Sequence, residues 1–335
     1  MRVEMIPYTM TPDFHTALRR WFRSHGRDLP WRAAPTPYAV LVSEFMLQQT
    51  TVAAVIPYFE RWMRRFPDIA ALAAAPESDV LKLWEGLGYY SRARNLHRAA
   101  QSVLAQFDGT IPSDLPALRS LPGVGPYTAA AIAAFAFDQC VPVLDANINR
   151  VVARLFNYRE NITTKAGRDF LEKAATSLLP KTSGRRHASA LMDLGATLCR
   201  SGVPDCAACP VHHFCKAVDP DALPVKPAKK TITEINDWRA FSRTGDYIFL
   251  IESPGPTWRG LWILPPGEPS PEPLATLIYS ITRYKVTLGI SLTVPQPNWT
   301  AFSLTSLPPM PSPHRKVLRL ILAKKPDDPA GEKAL

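Results

Sequence analysis

Two carboxyl groups in contrasting sequence surroundings are the residues of this chain best suited to acid–base chemistry. Glu44 lies in the run 38–47, which is otherwise apolar apart from Ser43. Burial there would raise its pKa and keep the acid protonated at neutral pH. Asp145 stands just ahead of a helical segment, where backbone N–H groups stabilise an ionised carboxylate. Such a pair can donate a proton and stabilise a cation. Taken alone, however, an exposed helix glutamate and a simple helix cap explain the two residues at least as well.

A glycine-bearing turn precedes Asp145 in the chain. Residues 121–125 carry Gly123 and Gly125, and the run 128–137 that follows is alanine-rich enough for a buried helix. Pro126 falls in the first turn of that helix, where proline is best tolerated. The glycines leave N–H groups uncovered at a helix N-terminus, a site that binds anions and most often phosphate. A corner that only packs two helices together is the alternative.

A cysteine cluster forms the third group with chemical potential. Four of the five cysteines fall within 17 residues, with the spacing C-x6-C-x2-C-x5-C: Cys199, Cys206, Cys209 and Cys215. Four thiolates in one compact loop can hold either zinc or a [4Fe–4S] cluster. The spacing predicts a metal site in a reducing compartment rather than a set of disulfides.

Length and net charge limit the number of domains and indicate the charge of the binding partner. A chain of 335 residues is long enough for two domains, and a net charge of +10 points to a polyanion. Charge alone does not separate nucleic acid from an anionic membrane surface. No apolar run reaches transmembrane length, and the start of the chain lacks the pattern of a secretory signal.

The elements that position these groups follow from hydrophobic periodicity and from proline and glycine positions. Everything before Cys215 reads as helical, with helices predicted at 12–25, two within 37–66 broken near Pro57, two within 76–106 broken at 86–88, and others near 146–157, 165–179 and 185–200. Residues 217–231 read as a linker. From 232 onward the prolines and short β-rich runs, at 247–251, 261–264 and 284–288, predict strands and loops.

Several of these stretches, taken together in their order, resemble a known family. The hairpin with Asp145 is similar to the helix–hairpin–helix of the DNA glycosylases. Residues 29–32, 43–50 and 86–96, with the cysteine loop, resemble one branch of that superfamily, the adenine DNA glycosylases of the MutY family. The resemblance is close over roughly residues 12–216 and loose beyond them.

The resemblance implies a mainly α, two-lobed helix–hairpin–helix glycosylase fold with a [4Fe–4S] cluster loop, followed by a small α+β Nudix-like domain. The implied catalytic domain spans 1–216. Its helical barrel lobe covers about 30–139, and its iron–sulfur lobe combines 1–29 with 140–216. The linker 217–231 then leads to a divergent lesion-recognition domain at 232–335. The cofactor implied for the four cysteines is the [4Fe–4S] cluster.

The resemblance also assigns catalytic roles. Glu44 falls on the family's proton donor and Asp145 on the carboxylate that stabilises the sugar cation. Tyr127 stands where bifunctional relatives resembling endonuclease III carry a lysine, and Asn147 assists it at the sugar. Because a phenol cannot form an imine, base removal without efficient strand cleavage is expected.

DNA-contacting residues are carried over in the same way. Trp31, Arg32 and Leu47 match the adenine pocket, and Gln49 and Tyr89 match residues that insert into the base stack. Further matching positions are Thr50, Leu87, Gly123 and Gly125. Ser189 departs from the glutamate or glutamine of many members. In the C-terminal domain the family's Phe-Ser-His loop corresponds to residues 281–283, where only the hydroxyl of Thr282 is kept.

The expected function is therefore excision of adenine from A:8-oxoguanine or A:G mispairs in double-stranded DNA, by a monomer found with DNA in the cytoplasm of a bacterium. A glycosylase of the same superfamily acting on thymine or another mismatched base is one alternative. A non-catalytic iron–sulfur DNA-binding protein is the other, and the presence of Glu44, Tyr127 and Asp145 argues against it.

Overall fold

The computed structural model of the chain describes residues 11–227 and 231–323. Parts of the predicted start, linker and C-terminal domain fall at 1–10, 228–230 and 324–335, outside the described residues. The chain divides into two compact units, Met1–Ala74 with Asn95–Ala228, and Ala75–Arg94 with Lys229–Leu335. No helix of the described part is both long and apolar enough to cross a membrane.

Between residue 11 and the end of the cysteine loop at Cys215, the regular structure of the described residues is helical. They are α1 (Thr11–His25), α2 (Pro30–Ala33), α3 (Pro37–Leu47), α4 (Val52–Arg65), α5 (Ile69–Ala73), α6 (Glu77–Trp84), α7 (Ser91–Phe107), α8 (Leu115–Ser120), α9 (Pro126–Phe135), α10 (Ala146–Leu155), α11 (Lys165–Ser177) and α12 (Gly184–Thr197).

Two nearly all-apolar helices form the centre of the first unit. Helix α3 is buried at nine of its eleven positions, and α9 is buried along most of its length. They pack against each other, and α12 packs against α9, α10 and α1. Because neither α3 nor α9 has a polar face, any charged side chain on them enters the core rather than solvent.

Most of the predicted helices are confirmed, but the predicted break near Pro57 is wrong. The chain breaks earlier, between α3 and α4, where Gln49 has a left-handed φ of 58°. Pro57 lies inside α4. Its missing N–H costs one backbone hydrogen bond, to the carbonyl of Ala53, which lies on an exposed face where water can replace it.

The second unit is built on strands and one long C-terminal helix. They are β1 (Thr233–Phe241), β2 (Arg243–Thr244), β3 (Tyr247–Glu252), β4 (Trp262–Ile263), β5 (Ala275–Ile281), β6 (Tyr284–Leu292), β7 (Thr300–Ser303) and α13 (Ser312–Ala323). Strand β6 pairs in parallel with β1 and antiparallel with β5, and β3 pairs with β2, β4 and β7. Side chains of β3, β6 and α13, among them Ile248, Leu288 and Val317, share one apolar core.

Residues 75–94 belong to this second unit through specific contacts. Glu85 accepts two hydrogen bonds from Arg315 at 2.5 and 2.9 Å, and the Tyr90 hydroxyl donates to the Met310 carbonyl at 3.0 Å. The β-rich runs at 247–251 and 284–288 are confirmed as parts of β3 and β6, and the run at 261–264 holds the short β4. Strands β1 and β5 and helix α13 were not predicted. The Nudix-like character of this unit stays a prediction.

Candidate active site

Glu44 is a buried acid in the middle of α3. Only 4% of the residue is exposed, and its neighbours on the helix are apolar apart from Ser43. Burial raises the pKa of Glu44 to about 7. A hydrogen bond from Tyr127 and the nearby Arg32 oppose that shift, whereas the charge of Asp145 adds to it. At neutral pH Glu44 is therefore a mixture of its protonated and ionised forms, and the protonated form is the expected acid.

Asp145 caps α10 and lies close enough to Glu44 to affect its charge. Its Oδ1 accepts the Ile148 N–H at 2.6 Å, and its Oδ2 accepts the Asn147 side-chain amide at 2.8 Å. The cap predicted from sequence is thus observed. The direction of the pKa shift differs from the expectation, because burial raises the pKa of Asp145 and outweighs the hydrogen bonds that lower it.

Tyr127 lies within electrostatic reach of both carboxyls. Its hydroxyl is hydrogen-bonded to Glu44, and burial, followed by the charges of Glu44 and Asp145, raises its pKa well above the usual value. The phenol therefore stays protonated and keeps its O–H as a hydrogen-bond donor. The structure brings Glu44, Tyr127 and Asp145 into one interacting group, and their catalytic roles stay a prediction.

A cavity of about 380 Å³ opens beside Glu44. Its lining includes every residue matched to the adenine pocket, together with the acid and the departing serine: Trp31, Arg32, Glu44, Leu47 and Ser189. A purine base fits this volume, and most of the wall is apolar, as in small-molecule sites generally. Glu44 is thus placed to reach a base held in the cavity.

Sequence reasoning missed the group that fixes Arg32. Asp193 is fully buried and accepts two hydrogen bonds from the Arg32 guanidinium at 2.8 and 2.9 Å, with Arg27 paired to it at 2.6 Å. Burial acts to raise the pKa of Asp193, but the hydrogen bonds from Arg32 and Arg27 outweigh it and the pKa falls below its usual value. The sequence did contain an indication of this role, because Asp193 falls at a position of α12 where the helical pattern predicts a buried apolar residue.

The glycine turn between α8 and α9 has the geometry of an anion site. Gly123 has a φ of 78°, and a Cβ there would come within 2.6 Å of Asn95, so this position requires glycine. Gly125 caps α9, and a Cβ on it would meet nothing within 4 Å. Packing therefore does not require glycine at 125, and the phosphate contact expected at its backbone N–H group stays a prediction.

Comparison with known proteins identifies this arrangement. Residues 42–176 match the family described as HhH-GPD superfamily base excision DNA repair protein. The chain is 36% identical over 242 residues to the adenine DNA glycosylase of Buchnera aphidicola subsp. Baizongia pistaciae, covering 71% of this chain and 68% of that protein. The chain belongs to the adenine DNA glycosylase family.

A second adenine DNA glycosylase agrees with this assignment, and a solved structure of another glycosylase shares the fold. The adenine DNA glycosylase of Mycolicibacterium smegmatis is 42% identical over 197 residues, covering 58% of this chain and 67% of that protein. The structure of a thermostable thymine-DNA glycosylase, 28% identical, superposes with a TM-score of 0.57 and covers 62% of this chain and 96% of that one. The predicted helix–hairpin–helix glycosylase fold is confirmed.

In this glycosylase two buried arginines of α10, also missed from the sequence, tie the site to the cysteine loop. Arg150 donates to Asn147 Oδ1 at 2.9 Å and to the Cys199 carbonyl at 2.7 Å. Arg154, only 1% exposed, donates to the Cys199 Sγ at 3.3 Å. It also bonds four backbone carbonyls at 2.7 to 3.2 Å, those of Pro220, Leu223, Arg200 and Gly202.

The four loop cysteines are free thiols, each half-buried. Burial raises the pKa of the Cys209 thiol to about 11, and the neighbouring thiolates Cys199, Cys206 and Cys215 add to the shift. The four thus lie within electrostatic reach of one another. Within 11–227 and 231–323, no group of three or more His, Cys, Asp or Glu side chains is arranged so that it could hold a metal ion.

Three residues matched to DNA contacts have a left-handed backbone, which Asp108, Asp138, Asn157 and Ser183 also adopt. Gln49 in the first unit, and Tyr89 and Thr282 in the second, have left-handed φ values of 58°, 47° and 53°. Such values are strained for residues other than glycine, most of all for a β-branched threonine, and they concentrate at functional sites. Leu87 is buried, whereas Tyr89 is 41% exposed. Thr50 follows Gln49 directly.

The raised pKa of Glu44 predicts the pH dependence of excision. Only the protonated form can donate, so the single-turnover rate should be highest below about pH 7 and fall as the pH rises through that value. The measurement is the excision rate at saturating enzyme across neutral pH, with DNA binding followed in parallel. A rate that stays constant through pH 7 and above would show that Glu44 is not the titrating donor.

Proposed function

We propose that this chain is a monofunctional adenine DNA glycosylase that excises adenine mispaired with 8-oxoguanine or guanine from double-stranded DNA. The observation that carries the proposal is Glu44, which lines a cavity of purine size and interacts with Tyr127 by a hydrogen bond and with Asp145 by charge. The family's name supports adenine as the base. The aromatic and apolar wall suits a base flipped out of the duplex.

In the first step the base must become a better leaving group. The carboxyl of Glu44 donates its proton to a ring nitrogen of the adenine, and the bond between that base and the sugar C1′ breaks. The electron pair of the bond leaves with the protonated base. The apolar surroundings that raise the pKa of Glu44 keep part of it protonated at neutral pH, so that a proton is available for this transfer.

The sugar left behind carries positive charge, and Asp145 provides the matching carboxylate. The hydrogen bonds from Ile148 and Asn147 hold both of its oxygens in place, so little reorganisation is needed when the charge develops. Water then adds to C1′ and gives up a proton, which the ionised Glu44 can accept. The products are free adenine and an abasic site.

A thymine-specific activity is the second candidate, because a thymine-DNA glycosylase shares the fold at 28% identity. Identity of 36% and 42% to adenine DNA glycosylases favours adenine. Duplexes carrying A:8-oxoguanine, A:G, A:C and T:G, scored for abasic sites, test the two directly. A protein that binds all four and excises nothing would instead be the non-catalytic alternative.

Strand cleavage through a covalent intermediate is not expected. Neither the cavity at Glu44 nor the separate cavity of about 630 Å³ that Tyr127 and Asn149 line has a lysine among its described lining residues. Without an amine at the sugar no imine can form. Product strands should stay intact until base or heat is applied, and borohydride should trap no adduct. Efficient trapping of enzyme on DNA would contradict this assignment of Tyr127.

We infer that the four loop cysteines hold a [4Fe–4S] cluster. The donor set fits, because the loop brings four half-buried thiols together and thiolates are the usual ligands of such a cluster. When bound, a cluster supplies structural order to the loop, which Arg154 already joins to α10.

The cluster makes a direct analytical prediction. The purified protein should be brown and should contain about four irons and four inorganic sulfides per chain. Replacing Cys206 by alanine should lower the iron content, whereas the same change at Cys140, outside the loop, should leave it unchanged. A colourless protein with one zinc per chain would overturn the assignment.

A further inference from the structure

The cavity beside Glu44 extends well beyond that acid. Phe135 at the end of α9 and Arg186 in the first turn of α12 are among its lining residues. Tyr127, which is hydrogen-bonded to Glu44, lies eight residues before Phe135 on α9. At a rise of about 1.5 Å per residue, these two positions are about 12 Å apart. We call the end of the cavity at Phe135 and Arg186 its rear.

The rear lies at the opposite end of α9 from the glycine turn. That turn directly precedes the first residue of α9, whereas the rear is beside the last. Helix α12 starts there as well, because a Cβ on Gly184 would come within 2.0 Å of the Gln139 carbonyl oxygen. Its other end lies near Asp145, since a Cβ on Gly195 would meet the Asn147 side chain at 2.7 Å. The rear is therefore remote from both the expected phosphate contact and Asp145.

Charged residues that are exposed to solvent line this rear end. Asp138 and Arg186 are both exposed, and both line the cavity. Asp138 accepts the Arg185 N–H at 2.8 Å, and the Arg185 guanidinium donates to the Ala136 carbonyl at 2.8 Å. These bonds fix the rim, because they join the start of α12 to the end of α9. An opening of the cavity at this rim would admit a ligand that does not pass the glycine turn.

A second cavity, of about 370 Å³, adjoins the rear. Its lining consists of Thr16 and four exposed arginines: Arg19, Arg20, Arg23 and Arg186. Arg186 lines both cavities, and Phe22 of the first cavity directly precedes Arg23 of the second on α1. The two cavities are therefore neighbours. We call the second one the arginine pocket.

The arginine pocket concentrates positive charge without a compensating carboxylate. No Asp or Glu is among its described lining residues. Guanidinium groups that share a small cavity repel one another, and a bound anion removes that repulsion. Arginine also matches phosphate in geometry, because its planar fork donates two parallel hydrogen bonds. Four such groups suit a chain of phosphates better than a single phosphate.

We propose that the cavity beside Glu44 and the arginine pocket together bind an adenosine di- or triphosphate, which enters from the rear. Its adenine lies beside Glu44, and its phosphates lie among the four arginines. The inference rests on the proposed function, since the preference for adenine comes from the assignment of that cavity. The nucleotide and a flipped adenine cannot occupy the cavity together, so ATP inhibits excision in competition with mispaired DNA.

The bound nucleotide stays intact because its sugar lies at the wrong end of the cavity. A nucleotide flipped out of DNA has its sugar toward Asp145, which stabilises the developing cation. The ribose of a nucleotide held by the arginine pocket lies toward Arg186 at the rear. Asp145 cannot reach C1′ there, so ATP is a ligand of this site and not a substrate.

Binding to the full chain without DNA tests the composite site. ATP should bind about tenfold more tightly than GTP, adenosine or inorganic tripolyphosphate, since each of these lacks the matching base or the phosphates. Isothermal titration calorimetry without magnesium gives the four affinities. Tripolyphosphate that binds as tightly as ATP, or the absence of ATP binding at millimolar concentration, would overturn the proposal.

Matched arginine variants locate the phosphates. Arg20→Gln and Arg23→Gln should each weaken ATP binding about tenfold, through the loss of a charge-assisted contact, and leave adenosine binding unchanged. Arg64→Gln removes the same charge at an exposed position of α4 outside the pocket, so it should bind ATP as the wild type does. Equal weakening by all three changes would show that net charge alone attracts ATP and would refute the site.

Excision measured with and without ATP separates this inference from the proposed function. Excision of adenine without ATP tests the proposed function alone. At an ATP concentration of about ten times its Kd, the enzyme concentration for half-maximal excision should rise about tenfold, and no adenine should be released from ATP. If excision is unchanged at that ATP concentration, the inference is wrong and the proposed function stands. Release of adenine from ATP would contradict the orientation from the rear.

Discussion

Glu44→Gln should bind mispaired DNA with nearly unchanged affinity and lose adenine excision by about 10³-fold or more. Glutamine keeps the shape of the side chain and can still accept the Tyr127 hydrogen bond. Its amide cannot give up a proton to the leaving base. The loss should exceed that from proton donation alone, because Glu44, Tyr127 and Asp145 act as one group.

The same change should stabilise the folded protein at high pH. Burial raises the pKa of Glu44 from 4.5 to about 7. The folded state therefore binds the proton more tightly than the unfolded chain. Stability from this group is full below the unfolded pKa and is lost as the pH rises through the window between the two values. Above pH 7, Glu44→Gln should gain up to about 3 kcal/mol in free energy of unfolding.

A matched control is available in the same unit. Glu60 lies exposed on α4, so Glu60→Gln should change neither the excision rate nor the pH dependence of stability. Single-turnover excision, DNA affinity and melting temperature are measured for both variants at two pH values. If Glu44→Gln excises at a rate close to that of the wild type, the proton donor is another group.

Arg154→Met should destabilise the first unit by about 3 to 5 kcal/mol, the usual cost of breaking a buried polar network from one side. The guanidinium bonds four backbone carbonyls between residues 200 and 223, as well as the sulfur of Cys199. Methionine fills a similar volume but leaves those carbonyls without donors. The melting temperature should fall by about 10 °C, and the iron content should fall with it.

Arg159→Met provides the comparison, because Arg159 lies a few residues further along the chain and is exposed. That variant should keep the melting temperature of the wild type within about 2 °C. Equal and small effects of the two changes would show that Arg154 does not hold the loop together.

Local patterns predicted the parts of the site that depend on neighbouring residues in the chain. The Asp145 cap, the glycine turn and the apolar run around Glu44 each depend on a few consecutive residues. The adenine cavity could be assigned only through the family resemblance, because Trp31 and Ser189 are far apart in sequence. The Asp193 clamp on Arg32 and Arg27 was missed for the same reason.

Tertiary contacts explain the remaining differences. The chain continues as a helix through Pro57 because α4 is packed on its other face. Helix α3 ends at Leu47, and the left-handed backbone of Gln49 two residues later could not be predicted from helix propensity. Helix α13 was not predicted because the prolines before it and in its first turn indicated loop structure, although its later residues have an amphipathic helical pattern. Strand β1 has charged residues on both faces and is recognisable only by its pairing with β6.

Excision on duplexes that differ only in the mispair tests the central claim most directly. At saturating enzyme the wild type should produce abasic sites at adenine in A:8-oxoguanine and A:G duplexes, and none at thymine in a T:G duplex of the same sequence. Glu44→Gln should produce none in any of them. Abasic sites at thymine with adenine left intact, or excision by Glu44→Gln at the wild-type rate, would contradict the account.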